Sequence, residues 1–333
     1  MGRSGKMTGL ATRPEDILRF IRDRTDGGEA TVLVTLTGIE GSSPRALGAQ
    51  MAVTTSGEYV GSFSGGCIES AVVAEALDTL AARQSRQVRY GIGSPYFDIR
   101  LPCGGGIDLL FTPLPSRKII CSAIARLERR EPAALSLSMS GMAGCDASTP
   151  IGRREGRFIV TYVPGLRVIA LGQGEELTAT AKLAAAFGAE TLAFSPYERD
   201  IRSLRGGNIE ASRLSLLTMR PDIVSDPWTA FIFLFHDRDW EEALIPWALG
   251  LPRLYIGALG SRYSHAARTE MLEAAGTPAV AIRTVRSPVG LIPSTRDPSS
   301  LAVSIMAEMT EAYINDASLP LAAIAHLPHL HRA

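Results

Sequence analysis

The chain has 333 residues, and 34 Lys and Arg balance 34 Asp and Glu for a formal net charge of zero. That balance excludes the basic footprint of sequence-independent nucleic-acid binding, while 46% hydrophobic and 20% charged residues exclude an intrinsically disordered chain. Single cores stop growing near roughly 250–300 residues, so two domains are expected. The longest wholly apolar run, within residues 229–235, is far short of the roughly 20 residues that span a bilayer. The basic start at residues 1–7 has no apolar stretch behind it, so a soluble cytoplasmic protein without a signal peptide is expected.

Pro14 suits a first helical position, and Ile17, Leu18 and Ile21 then share a face. Residues 31–37 read as a strand from their β-branched content, and 50–54 and 58–63 as two more joined at Ser56-Gly57. A helix is expected from Cys67 to Arg83, with Ile68, Val72, Ala76 and Leu80 at i+4 spacing. A strand over 107–112 ends at Pro113, a helix covers 116–130, and strands over 134–139 and 157–163 bracket a turn-rich stretch.

At Pro164-Gly165 the pattern changes to strand–helix alternation. Strands are expected over 166–171, 190–194, 230–235 and 253–256. Helices are expected over 175–187, 239–249 and 261–275, with a last one capped by Asp297 and opened by Pro298. The continuous apolar run at 230–235 marks a parallel strand covered on both faces. The fold class is therefore α/β: a mixed α+β domain over 10–163, then a doubly wound parallel-sheet domain over 164–315, with a tail over 316–333.

Several short motifs carry chemistry. Gly172-Gln-Gly174 between strand and helix begins a dinucleotide fingerprint, but Leu177 stands where a third glycine belongs. Ser195 with Arg199 facing a phosphate keeps an NADP-dependent oxidoreductase open as the alternative function; a sharp turn without ligand is the competing reading. His236-Asp237 and Gly260-Ser261-Arg262 follow later strands and belong to the carboxyl edge of the sheet, where open α/β sheets bind ligands; turn caps are the alternative.

In the first domain, Ser64-Gly65-Gly66-Cys67-Ile-Glu69 and Cys103-Gly104-Gly-Gly106 place two cysteines among glycines that leave backbone N–H groups open. Cys67 stands at a helix start, where the dipole favours the thiolate; inert buried thiols are the competing reading. The two are expected to approach one crevice. Cys121 and Cys145 sit in ordinary contexts. Glu40-Gly-Ser-Ser43-Pro-Arg45 offers hydroxyls and a guanidinium fork suited to phosphate.

These segments, with Pro288-Val-Gly-Leu291 and Ser304-Ile305…Ala307-Glu308, together resemble the XdhC/CoxI family over most of residues 14–315. The resemblance implies a mixed N-terminal domain and a Rossmann-like C-terminal domain. It implies a chaperone that binds the molybdenum cofactor, protects it during sulfuration and hands it to a xanthine-dehydrogenase-like or CO-dehydrogenase-like apoenzyme. It further implies an accessory factor rather than a catalyst, a homodimer, and a cysteine desulfurase as a second partner. The implied contacts are Ser43, Arg45, Gly65, Gly66, Cys67, Glu69, Cys103, Gly104, Gly172, Gly174, His236, Asp237, Gly260, Ser261 and Arg262, with Cys67 and Cys103 meeting molybdenum or sulfur. Ser195 replaces the family's acidic residue after the second strand, Phe235 its Thr before His-Asp, and Ile292-Pro-Ser-Thr295 its Asp-Ile-Gly-Ala.

Overall fold

The computed structural model describes residues 6–9, 13–94 and 104–315. Two compact units divide between Pro164 and Gly165. The first contains, in chain order, β1 (Lys6–Gly9), α1 (Pro14–Asp26), β2 (Thr31–Glu40), β3 (Gln50–Thr54), β4 (Glu58–Val60), α2 (Glu69–Ala82), β5 (Arg86–Gly91), β6 (Gly106–Pro113) and α3 (Arg117–Glu128). It closes with β7 (Ala133–Ser138), β8 (Gly141–Cys145), β9 (Gly152–Arg154) and β10 (Arg157–Tyr162).

Side chains alternate across the main sheet, whose order is β1-β4-β3-β2-β6-β5. Val32, Val34, Leu36, Met51 and Phe111 pack under Val72, Val73 and Ala76 of α2. Leu33, Ala52 and Leu110 face the other way, onto α1, α3 and the small β8-β7-β10-β9 sheet. Glu40 pairs with Gly106, Gly91 with Gly106, and Ala52 with Val60. That antiparallel register sends the β2–β3, β4–α2 and β5–β6 connections out from one edge of one sheet. Every first-domain motif lies on these three connections.

The second unit contains β11 (Arg167–Gly172), α4 (Gly174–Phe187), β12 (Glu190–Ser195), α5 (Glu198–Gly206), β13 (Glu210–Arg213), β14 (Thr229–Leu234), α6 (Asp239–Leu249), β15 (Tyr255–Ala258), α7 (Arg262–Ala274), α8 (Ala279–Ile282) and α9 (Pro298–Asn315). Its strands are all parallel in the order β13-β12-β11-β14-β15. The order reverses between β11 and β14, the switch point at which such sheets place ligands. Both faces are covered: α4, α5 and α9 pack on Val168, Ala170 and Ile232, while α6 and α7 pack on Ile169, Phe231 and Phe233. No helix among the described residues is long and apolar enough to cross a membrane.

The α/β reading holds in both units, and the differences are local. The helix expected from Cys67 begins at Glu69, because the preceding residues form a loop folded around the Glu69 carboxylate. The turn-rich stretch carries β8 and β9, whose Gly and Arg residues lack apolar alternation. The strand expected at 253–256 lies two residues later, at Tyr255–Ala258.

A buried ion pair, invisible in the sequence pattern, joins the helices beside β15. Arg268 of α7 is 1% exposed and donates from Nε and Nη2 to the Glu241 carboxylate of α6 at 2.8 and 2.9 Å. It also donates to Leu259 O and Ser287 Oγ, fixing the turn ahead of Gly260. Burial pulls the Glu241 pKa up, and the guanidinium opposes it. Arg268→Ala leaves a buried carboxylate without its partner and should cost roughly 3–5 kcal/mol, read as a lower denaturant midpoint with an unchanged slope.

Candidate functional site

The loop between β4 and α2 is built around one carboxylate. Glu69, 3% exposed, accepts six hydrogen bonds. Oε1 takes Ser62 Oγ at 2.6 Å, Phe63 N at 3.0 Å and Ser64 N at 2.9 Å. Oε2 takes Ser64 Oγ and Gly66 N, both at 2.8 Å, and Ile68 N at 3.2 Å. Gly65 N donates to Ser62 Oγ, and Cys67 N to Ser64 Oγ. The N–H groups that the sequence reading left open to an anion are therefore engaged within the loop. Gly65 and Gly66 have φ of 75° and 129°, and a Cβ at either would meet nothing within 4 Å. The outer face of this turn is open, and Cys67 stands exposed on it with a free thiol.

The Glu40–Arg45 turn meets this loop, and the β5–β6 connection meets that turn. Arg45 Nε donates to Ser62 O at 3.1 Å, tying the Glu40–Arg45 turn to the Cys67 loop, and Ser43 Oγ donates to Arg45 O. A Cβ on Gly105 would overlap Ser42 O, so the strand leading out of the Cys103 motif lies against the same turn. Cys103 itself falls outside the described residues, as does its approach to Cys67. Gly104 is exposed, with φ of 69° and open space at its Cβ position.

Arg89 on β5 is a residue that sequence reading missed. It donates to Ile92 O at 2.7 Å and pairs with Glu40 and with Asp108, while Ile92 N bonds Gly105 O. It thereby fixes both described ends of the β5–β6 connection to the Glu40 turn. One arginine in an edge strand carries no sequence signal. Cys121 and Cys145 are half-buried, and burial pushes the Cys145 thiol up. Among the described residues no three His, Cys, Asp or Glu side chains gather as a metal-ion site.

In the second unit, Gly172, Gly174, His236, Gly260 and Ser261 all lie at the carboxyl edge of the parallel sheet. A Cβ on Gly172 would reach within 2.5 Å of Leu234 O, so this glycine serves strand packing. Gly174 N donates to Asp200 Oδ2 at 2.9 Å, and the buried Ser195 hydroxyl donates to the same oxygen at 2.9 Å. Arg199 pairs with Asp200 at 3.4 Å and lies over the Tyr197 ring. The reading of Ser195 as a phosphate ligand is thus corrected: it is buried against Asp200, which closes the glycine turn with an internal anion, while Arg199 pairs with the same carboxylate from an exposed position. His236 Nε2 lies 3.5 Å from Glu176 across the switch point. Asp237 Oδ1 accepts from Asp239 N at the start of α6, and Ser261 caps α7 through Ser264 N. Arg262 is exposed at the first position of α7.

Residues 25–91 match the model of the XdhC and CoxI family, and residues 168–309 match that of the XdhC Rossmann domain. The chain is 36% identical over 309 residues to the molybdenum cofactor insertion chaperone PaoD of Escherichia coli (strain K12), covering 91% of both chains. This chain belongs to the XdhC/CoxI family. A solved structure of a xanthine dehydrogenase from Bacillus halodurans shares the fold, with a TM-score of 0.70 at 21% identity over 89% of this chain and 95% of that one. Further XdhC/CoxI motif residues prove structural: Glu308 accepts from Tyr255 Oη and Gly290 N, both at 2.6 Å, and Ser304 Oγ accepts from Ile292 N at 2.7 Å.

The Glu69 clamp has a pH signature. Burial alone would raise its pKa, but the donors of Ser62, Ser64 and the backbone outweigh it and hold the group at about 2. Because the folded value lies below the ordinary 4.5, the stabilisation is full above that pH and is lost as pH falls towards 2. Glu69→Gln should therefore lower stability at pH 7 by on the order of 3 kcal/mol. Acid titration of both proteins should show that gap closing between about pH 4.5 and pH 2.

Proposed function

We propose that this chain is a molybdenum cofactor insertion chaperone that holds the cofactor as cargo and passes it to a molybdenum hydroxylase apoenzyme in the cytoplasm. The observation that carries the reading is the exposed Cys67 thiol on a clamped, open-faced glycine loop, at the sheet edge where the three family motifs leave. It gains weight from the similarity to a chaperone over nearly the whole chain.

The chemistry of the donors fits the cargo. A thiolate is a soft ligand suited to molybdenum or to a transferable sulfur, whereas the hard donors nearby, Ser62, Ser64 and Glu69, are engaged with one another. Glu69 acts by holding the loop and thereby the direction in which Cys67 is presented. Gly65 and Gly66 keep the approach clear of side chains. Gly104 lies on the same connection, and Cys103, outside the described residues, is assigned the role of a second soft ligand. His236, Gly260, Ser261 and Arg262, at the carboxyl edge of the Rossmann domain, are assigned a ligand-facing role within that domain. A dinucleotide fits less well, because its phosphate would meet Asp200 in place of a free N–H.

Full-length protein prepared anaerobically should release oxidised, fluorescent pterin on denaturation. Cys67→Ser should lose most of it, since a hydroxyl stays protonated and is a poor soft-metal ligand, while Cys121→Ser retains it. NADPH fluorescence should not change on addition of the protein. Equal pterin retention by both cysteine variants would contradict the role of Cys67, and absence of pterin together with tight NADPH binding would contradict the chaperone reading.

A further inference from the structure

The first unit holds a pocket of about 320 Å³ at the edge from which the three connections leave. Arg13, Arg45, Gln50, Ser62 and Thr161 supply its polar lining, and Ile17, Leu47 and Ile151 are among its apolar walls. We propose that this pocket is the subsite for a phosphate ester of the cargo, with Arg45 as its principal ligand. The proposal rests on the chaperone reading for the identity of the cargo, and on the pocket's own chemistry for the class of group bound.

The polar side chains other than the arginines are already satisfied. Gln50 donates to Thr35 and accepts from the Tyr162 hydroxyl, Thr161 donates to Thr149 O, and Ser62 donates to Glu69. Arg13 is partly neutralised by Glu15 at 3.3 Å and Asp16 at 3.9 Å. Arg45 differs. Its Nε bonds Ser62 O, which orients the guanidinium, and among the described residues no carboxylate pairs with it and neither Nη has a partner. Among the lining side chains, the donors left for an incoming group are therefore those of the solvent-exposed Arg45 guanidinium, whose planar fork matches the oxygens of a phosphate.

The adjoining loop cannot supply this function, because Glu69 and the two serines already accept from the N–H groups of Phe63 to Ile68. Ser62 belongs to both features: its carbonyl orients Arg45, and its hydroxyl is clamped by Glu69 five residues' reach from Cys67. A ligand with a soft metal centre at one end and a phosphate at the other would meet complementary groups on two turns of the same domain, joined by the Arg45–Ser62 hydrogen bond. The pocket's volume lies at the lower end of the range for small-molecule sites, about 300–1,000 Å³.

Inorganic phosphate titrated into the full chain, followed by phosphorus NMR, tests the subsite without the cofactor. Line broadening is expected for the parent and should disappear in Arg45→Gln, while Arg83→Gln, which removes an exposed arginine outside the pocket, keeps it. Melting temperatures of the variants confirm that they fold. In a second arm, the oxidised phosphorylated pterin should bind the parent about ten- to a hundredfold more tightly than it binds Arg45→Gln. Its dephosphorylated counterpart should bind both alike. Equal phosphate broadening in the parent and Arg45→Gln, or its absence from both, would overturn the subsite whatever the pterins do. Broadening that depends on Arg45 while neither pterin binds would support the subsite and count against the chaperone reading.

Discussion

A single carboxylate organises the region on which the functional reading depends. The six donors around Glu69 come from five consecutive or near-consecutive residues, so the Ser62–Ile68 loop has one low-energy way to fold. An ionised carboxylate is the group for which charge-assisted hydrogen bonds of this kind are strongest. Without it the buried N–H group of Phe63 would lack its acceptor, at about 1–3 kcal/mol, while Ile68 N keeps Ser64 Oγ at 3.1 Å. Arg45 in turn takes its orientation from Ser62 O on that loop.

The same device recurs in the second unit. Asp200 accepts from the glycine turn and from Ser195, and Glu308 accepts from Gly290 N and Tyr255. In each case a helix carboxylate fills the position that a bound anion occupies in phosphate-binding turns. The glycine loops of this chain are thus organised by internal charge, which leaves cationic side chains such as Arg45 to recognise an anionic group. Arg268 and Glu241 perform the related task of pinning the β15–α7 turn from beneath.

Much of the fold was legible because it depends on periodicity. The apolar run of β14, the i+4 stripe of α2 and the Asp297-Pro298 start of α9 each state their structure locally. The candidate loops were legible as motifs of Gly, Ser and Cys. What could not be read was their internal bonding. Glu69 looks like a ligand in the sequence, yet its carboxylate faces inward, because the φ values of Gly65 and Gly66 fold the chain back over it. Ser195 similarly looked exposed at a strand end, and it is buried against Asp200, which comes from a helix the apolar pattern did not reveal. Arg89 joins residues 49 positions apart, a relation set by strand register alone.

The central claim is that the clamped loop presents Cys67 to the cargo. Differential thiol alkylation of the full chain, quantified at each cysteine by mass spectrometry, tests it most directly. The account predicts rapid labelling of Cys67 in cofactor-free protein and strong protection in cofactor-loaded protein, with labelling of Cys121 the same in both. Equal labelling of Cys67 in the two states would contradict it.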